Sequence, residues 1–599
     1  MDNLNYGIIG NCRSAALVSN RGSIDWCCLP EFDSSSIFAK ILDKKIGGSF
    51  EILTEEDYSI KQCYMENTSI LVTSFSNGED AFEVYDFMPR YMKEDNSSYT
   101  PPEIIRYLKY KKGMPEFSIH YDPKLEYALD ETVSYVKSDF IVSLTKNKKF
   151  DSLYFYSNLN LETISKGKKI TLSDDAFFQI GYNEKIFTPS LAKVKLELER
   201  TKVYWMNWSE KTISYQKYNE EIQRSAITLK LLSYERTGAV LAAATTSIPE
   251  TIGEVRNWDY RFCWIRDASM VVKVLSVLGH KNLASNYLKF IIDLIPDKDE
   301  KLQIMYGINK EKKLTEETLD HLSGYMGSKP VRVGNAAYIQ RQNDIYGILM
   351  DVIHQQFAYF STDIENGEEM WNITKGIAWV VEQHWQERDK GIWEFRTEEK
   401  HFTFSKVLCW TAIDRAIKVA NILGKKSKAE KWRPLEEMIR RDIMEKAWNE
   451  DIQAFTQFYG STDLDASVLL METYGIVSAD DPKYVSTVKA IGRELSNDGL
   501  LYRYKNKDDF GLPSSSFTIC TFWYINSLYK IGECKEAERQ FEKLLSYSNH
   551  LGLFSEDIDF ETKRLLGNFP QAYSHLALIE TAINLSKITH EGKVIDALR

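Results

Sequence analysis

The sequence predicts two architectures in tandem, an N-terminal antiparallel β-sandwich and then an (α/α)6 barrel, a toroid of six helical hairpins. Three observations carry this expectation. Short apolar runs separated by turn residues fill the first third of the chain, the hydrophobic period changes from two to 3.6 near residue 210, and about twelve helical windows follow. At 599 residues, with 43% hydrophobic and 27% charged side chains, the chain is long enough for two large domains with cores of their own.

The strands begin with Ala15–Ser19, the turn Asn20-Arg21-Gly22 and Ile24–Leu29, and continue with Ile70–Phe75, Asn77-Gly78 and Ala81–Phe87. Asn-Gly between runs rich in Val, Ile, Tyr and Phe marks a hairpin, because only such residues enter the left-handed turn at low cost. Further strands are expected at Glu103–Tyr110, Phe117–Tyr121, Thr132–Val136, Phe140–Thr145, Ser152–Ser157 and Lys169–Leu172. The expected divisions are a sandwich over 1–205, a linker helix region over 206–225 and the barrel over 226–599.

In Glu220–Leu232, Ile222, Ala226, Leu229 and Leu232 return at helical spacing. The helical windows lie at 217–234, 267–280, 281–295, 334–360, 367–388, 405–424, 426–448, 463–474, 482–496, 514–532, 534–547 and 570–588. Twelve helices make six hairpins, and all-apolar stretches such as Phe517–Leu528 suit an inner ring. The connection from 296 to 333 is long for a compact domain, and ordered loops of that length usually serve function.

Composition narrows the function. Lys plus Arg number 75 against 86 Asp plus Glu, and a net charge of −11 repels phosphate backbones, so no nucleic-acid partner is expected. The N-terminal residues carry no basic and apolar leader, and no window is apolar enough for a membrane span, so a cytoplasmic protein without membrane association is expected. The eight cysteines form no C-x-x-C pair and are expected to be reduced, with no metal site. Dinucleotide-binding, Walker, nucleophile-elbow and zincin motifs are absent, and no cofactor is expected.

Three segments set charged groups among aromatics. In Asn257–Asp267, Asp267 could cap the following helix and Arg266 could pair with it, or the two could clamp vicinal sugar hydroxyls while Trp264 stacks on the ring. In Gly391–Arg396, Glu394 sits between Trp393 and Phe395, a setting that would desolvate it and raise its pKa toward that of a general acid; the alternative is a surface loop paired to Arg396 or Lys400. In Gly552–Asp559, three carboxylates share a loop, so Glu556 is expected to stay ionised in polar surroundings. Two carboxyl groups with opposite roles are what glycoside hydrolysis requires.

These segments, with Tyr6–Asn11, Gly22–Trp26, Leu29–Ser34 and Leu566–Ala572, resemble glycoside hydrolase family 15, in its bacterial and archaeal branch of glucoamylases and trehalases, over nearly the whole chain. The resemblance implies the (α/α)6 barrel, Glu394 as general acid, Glu556 as general base, and Arg266 and Asp267 as the pair holding the non-reducing glucose, with Trp393 beside the acid. Tyr325, Arg332 and Lys406 fall in family motifs near the pocket, and Arg396 lies beside the acid. Met326 and Lys329 stand where arginines are expected, Phe404 where a His is frequent, and Leu512–Phe517 where an acidic segment is common; these departures bear on the leaving-group side.

The reading is an inverting exo-acting α-glucosidase, with the carboxyl groups separated by about 6.5–9.5 Å. The substrate expected first is an α-1,4-glucan or maltooligosaccharide, and the alternative is trehalose. A non-catalytic, carbohydrate-sensing glucoamylase-like protein is a third reading, disfavoured by retention of both glutamates. A homo-oligomer is compatible with the sequence.

Overall fold

The computed structural model describes residues 3–147, 151–294, 302–360, 364–396 and 398–586. Residue 295 of one helical window, residues 587–588 of the last, and 296–301 of the long connection lie outside the described residues.

Two antiparallel sheets form the N-terminal region. The first runs β1 (Tyr6–Gly10), β2 (Ala15–Ser19), β3 (Ile24–Cys28), β5 (Ser49–Leu53), β12 (Glu116–Asp122) and β16 (Ile170–Thr171), with β4 (Ser36–Phe38) beside β3. The second runs β13 (Thr132–Val136), β14 (Ile141–Thr145), β15 (Ser152–Ser157), β17 (Ala176–Tyr182), β11 (Glu103–Lys112), β8 (Ala81–Phe87), β7 (Leu71–Ser76) and β6 (Ser59–Tyr64). A small ribbon pairs β9 (Tyr91–Met92) with β10 (Ser98–Tyr99). The Asn77-Gly78 turn joins β7 to β8 as expected, with Gly78 at φ +96°.

The two sheets share one apolar core, in which Phe50 of the first meets Phe155 and Phe178 of the second at 5.7 and 5.6 Å between ring centres. A buried ion pair crosses this core. Arg106 on β11 bonds Asp86 on β8 at 2.7 and 3.2 Å and reaches the main-chain oxygens of Phe50 and Gly22 in the other sheet at 3.0 and 2.5 Å. Two bonds to Asp86 and two to carbonyls occupy four of its five N–H groups, which is what makes a fully buried guanidinium tolerable.

A short helix, α1 (Leu161–Ser165), interrupts the second sheet's connections, and α2 (Leu191–Ser209) follows β17, so the end of the stretch expected to be sandwich is helical. Ser190 caps α2 by accepting from the Lys193 amide, and the run behind it is rich in unbranched Lys, Leu and Glu.

Among the described residues, twelve helices then alternate between two rings. The outer ring holds α3 (Asn219–Leu231), α5 (Lys281–Leu294), α7 (Ile364–His384), α9 (Lys426–Lys446), α11 (Pro482–Glu494) and α13 (Cys534–Leu545). The inner ring holds α4 (Ile265–Val277), α6 (Asp344–Tyr359), α8 (Thr403–Ile422), α10 (Met471–Tyr474, led in by the tight turn Ala466–Leu470), α12 (Thr518–Lys530) and α14 (Ala572–Leu585). The inner helices pack in succession, with the tight turn Ala466–Leu470 before α10 making the contact to α12, and α14 packs back on α4, closing the toroid. Their near-complete burial explains the all-round apolar sequences.

Two windows differ from expectation. Residues 334–343, expected to open α6, instead hold a separate tight turn over Ala336–Ile339, started by Asn335, whose side chain accepts from the Ala337 amide, and ended where the Gln340 backbone becomes extended. The window at 463–474 is mostly a tight turn rather than an α-helix, pinned by Asp465 on the Ser467 amide.

Candidate active site

The N-terminal ends of α4, α12 and α14 converge on one pocket, as do the loops before them, and Asp344 at the start of α6 lies behind it, 3.5 Å from Arg266. Arg266 and Asp267 occupy the first turn of α4, Phe517 precedes α12, and Gln571 and Tyr573 open α14. Fixed helix ends place these groups more rigidly than loops alone could.

Arg266, almost fully buried, is the hub of the floor. Its guanidinium donates to the Tyr573 hydroxyl and to Gln342 Oε1 (2.9 Å), and lies 3.3 Å from Asp267, 3.5 Å from Asp344 and 3.6 Å from Glu394. Asp267 Oδ1 accepts no hydrogen bond among the described residues, and burial pushes its carboxyl up to about 6, with Arg266 opposing. A buried acceptor left open beside a cation is suited to a sugar hydroxyl.

Glu394 projects into the pocket from the Gly391–Glu394 turn, where its own backbone is left-handed (φ +61°), a conformation that costs a non-glycine residue about 1–2 kcal/mol. Its carboxylate accepts from Trp264 Nε1 at 2.7 Å, and Gln340 holds its main-chain oxygen at 3.2 Å. The side chain is 23% exposed and opens into the pocket, so Trp393 and Phe395 do not enclose it. Those rings turn aside: Trp393 donates to Asp465 at 2.8 Å and packs on Phe517, and Phe395 stacks on Phe402 and Tyr504.

Glu556 is the deeply buried carboxyl, at 1% exposure. The expectation of a polar, ionised setting fails because Asp557–Ile558 pairs between Ser516–Phe517 and Leu565–Leu566, a three-stranded ribbon that draws the acidic loop inward. Burial, with Glu250 nearby, raises the Glu556 carboxyl to about 8, against hydrogen bonds from the Tyr260 hydroxyl (2.6 Å) and the Asn568 amide (3.3 Å). Asp557 is also driven upward by burial and by Glu250 and Glu556, with Ser515 donating to it at 2.9 Å. Arg503, paired to Glu250 at 2.8 Å, supplies the compensating charge.

Two aromatic residues connect the acids. Tyr260 bonds Glu556, Trp264 bonds Glu394, and the two rings meet edge to face at 5.4 Å. The loop carrying them is anchored to the N-terminal sheets. Arg261 forks onto Asp259 (2.8 and 2.6 Å) and reaches the Ser34 carbonyl at 2.9 Å, while Trp26 of β3 donates to the Ala244 carbonyl at 2.9 Å.

The remaining expected residues divide. Arg396 lines the pocket and stacks on Trp258 at 4.4 Å. Arg332 lies behind Trp258, stacked at 4.5 Å and bonded to the carbonyls of Val255 and Asn257 at 2.9 and 2.8 Å, so it props the wall from outside. Lys406 does not face the pocket: it is buried and donates to the Trp385 and Glu387 carbonyls, both at 2.5 Å, just past the end of α7. A cation satisfies the carbonyls that a helix end leaves open. Tyr325 lines a separate cavity between the barrel loop and the first sheet. The departures Met326, Lys329 and Phe404 likewise lie outside the pocket lining.

Glu250, Tyr260, Arg256, Arg503, Asp508, Phe510 and Tyr573 also line the pocket, although sequence reasoning had not singled them out as site residues. Tyr260 sits inside a motif already noted and Tyr573 directly follows one, whereas the pairing of Arg256 with Asp508 spans 252 positions and leaves no local signal.

Comparison with known proteins gives the family and the fold. Residues 216–583 match the model for glycosyl hydrolases family 15, and residues 5–146 match that for a trehalase-like N-terminal region. The chain is 36% identical to a trehalase of Thermoplasma volcanium over 97% of this chain and 93% of that protein, and 34% identical to a trehalase of Mycolicibacterium smegmatis over 98% and 92%. A bacterial glucoamylase solved with acarbose shares the fold across 98% of this chain and 94% of its own, with a TM-score of 0.69 at 13% identity. No helix among the described residues is long and apolar enough to cross a membrane. The chain belongs to glycosyl hydrolases family 15 and is a glycoside hydrolase.

Proposed function

We propose that the protein hydrolyses α,α-trehalose to glucose with inversion at the attacked anomeric carbon. The observation that carries the reading is the pair Glu394 and Glu556, joined through Trp264 and Tyr260: Glu394 lines the pocket beside Arg266 and Asp267, and Glu556 lies behind the lining residue Tyr260, which bonds it. One glucose sits on that floor, its hydroxyls received by the open Asp267 oxygen and the Arg266 fork. Glu394, 3.6 Å from Arg266, gives its proton to the glycosidic oxygen as the bond to C1 breaks. Glu556 removes a proton from a water attacking the opposite face, and the oxygen of that water becomes the new anomeric hydroxyl.

Trehalose is preferred over the α-1,4-glucan expected from sequence because the trehalase relatives match along nearly the full length of both chains. The test follows anomeric proton signals by NMR with trehalose, maltose and maltotriose supplied separately. Inverting cleavage of trehalose releases equal α- and β-glucose at first; α-glucose alone would refute inversion. Faster cleavage of maltotriose than of trehalose would restore the glucan reading.

A further inference from the structure

We propose that the segment Tyr504–Gly511 is a wall on the leaving-group side of the pocket, held shut by Arg256, that limits the leaving group to a single sugar. This rests on the trehalose reading and adds what excludes longer chains.

The position of the wall follows from Glu394. The acid lies 3.6 Å from the Arg266 floor, and two residues along the same loop Arg396 presents its guanidinium 4.4 Å from the Trp258 ring and 5.5 Å from the Phe510 ring. Phe510 meets Trp258 edge to face at 5.2 Å. A leaving sugar that receives its proton from Glu394 therefore departs into a space bounded by Trp258, Arg396 and Phe510.

The segment carrying Phe510 is held by polar clamps. Arg256 grips Asp508 with two bonds of 2.6 and 2.7 Å and the Gly511 carbonyl at 3.1 Å, and Tyr504 donates to the same carboxylate at 2.5 Å. Asp508 and Gly511 bond each other's main chain at 3.0 and 3.2 Å, tightening the turn. Asp509 accepts from the Arg396 amide, tying the wall to the loop that bears the acid. Arg256 and the Asp508 carboxylate are both nearly buried, at 4% and 6%, so the fork is shielded from water and from screening salt.

A wall fastened in this way can discriminate by length. One glucose leaves through the bounded space, but a second α-linked unit would have to pass where Phe510 closes on Trp258. Displacing the segment would break a buried bidentate pair and strand a charge. A glucan therefore pays that cost and a disaccharide does not.

The experiment compares the wild type with Asp508→Asn, Arg256→Lys and Phe510→Ala on trehalose, maltose, maltotriose and maltoheptaose, each variant checked by circular dichroism and melting. Arg256→Lys keeps the charge and loses the fork, and Phe510→Ala opens the wall with both charges of the ion pair in place, removing only the ring 5.6 Å from the Arg256 guanidinium, so the test survives if Asp508→Asn fails to fold. The variants are expected to raise the maltoheptaose-to-maltose ratio of kcat/KM about tenfold or more and to lower kcat/KM on trehalose through KM. Unchanged ratios in folded variants would overturn the wall. A wild type that already cleaves maltoheptaose as readily as maltose would overturn it too. Failure of the trehalose reading shows separately, as a wild type that prefers maltose to trehalose.

Discussion

Replacing Tyr260 by Phe removes one hydrogen bond to Glu556 and nothing else from that carboxylate. The hydroxyl donates to Glu556 at 2.6 Å and favours the ionised form, against the burial that raises this carboxyl to about 8. A charge-assisted bond contributes about 1.5–3 kcal/mol net, and one pKa unit corresponds to about 1.4 kcal/mol. Its loss should therefore move the acidic limb of kcat/KM upward by about 1–2 units. Because the base acts only when ionised, the sign is definite: activity at pH 6 falls about ten- to a hundredfold, and the variant converges on the wild type only above the raised pKa. The apparent value belongs to the Glu556–Asp557 cluster rather than to one carboxyl, and the shift is read on the whole limb. The assay is initial glucose release from trehalose between pH 4 and 10 at substrate concentrations well below KM. An equal loss at every pH, with the limb unmoved, would refute Glu556 as the group that must ionise.

Glu556→Gln should abolish turnover while raising stability at neutral and alkaline pH. The folded carboxyl holds its proton to about 8 while the unfolded one releases it near 4.5, so wild-type stability falls across that window and the variant's does not, a gap readable as Tm against pH. Gly567→Ala should lower both kcat and Tm: the residue has φ +73°, and an added Cβ would stand 2.6 Å from Glu556 Cβ, with the backbone strain alone costing about 1–2 kcal/mol. Asp86→Ala should destabilise the chain by about 3–5 kcal/mol in denaturant unfolding, since it strands Arg106 in the sandwich core.

Much of this was legible in the sequence, for identifiable reasons. Ala15–Ser19, Ala81–Phe87, Thr132–Val136 and Ser152–Ser157 occur at their expected limits, because alternation and the Asn-Gly turn are local signals. The inner helices showed themselves as runs apolar on every face. Arg266, Asp267, Trp264, Trp393, Glu394 and Arg396 converge on one pocket, as their motifs implied, with Glu556 bonded to its wall through Tyr260. Lys406 was misleading because a cation at a helix end and a cation in a pocket look alike in one dimension.

The solvent access of the two acids was beyond sequence reasoning. Neighbouring rings in the chain suggested that Glu394 would be dry and the acidic loop wet; the fold leaves Glu394 partly open to the pocket and buries Glu556. Burial is a property of what arrives from elsewhere: the ribbon from 516–517 and 565–566 covers Glu556, and Arg266 reaches Glu394 from a helix 128 residues away in numbering. Periodicity, turns and the identity of the carboxylates are written locally, so the sequence alone determined the architecture and the candidate chemistry. Solvent access, charge neighbours and the Arg256–Asp508 clamp depend on contacts between distant segments, and only the tertiary structure decided them.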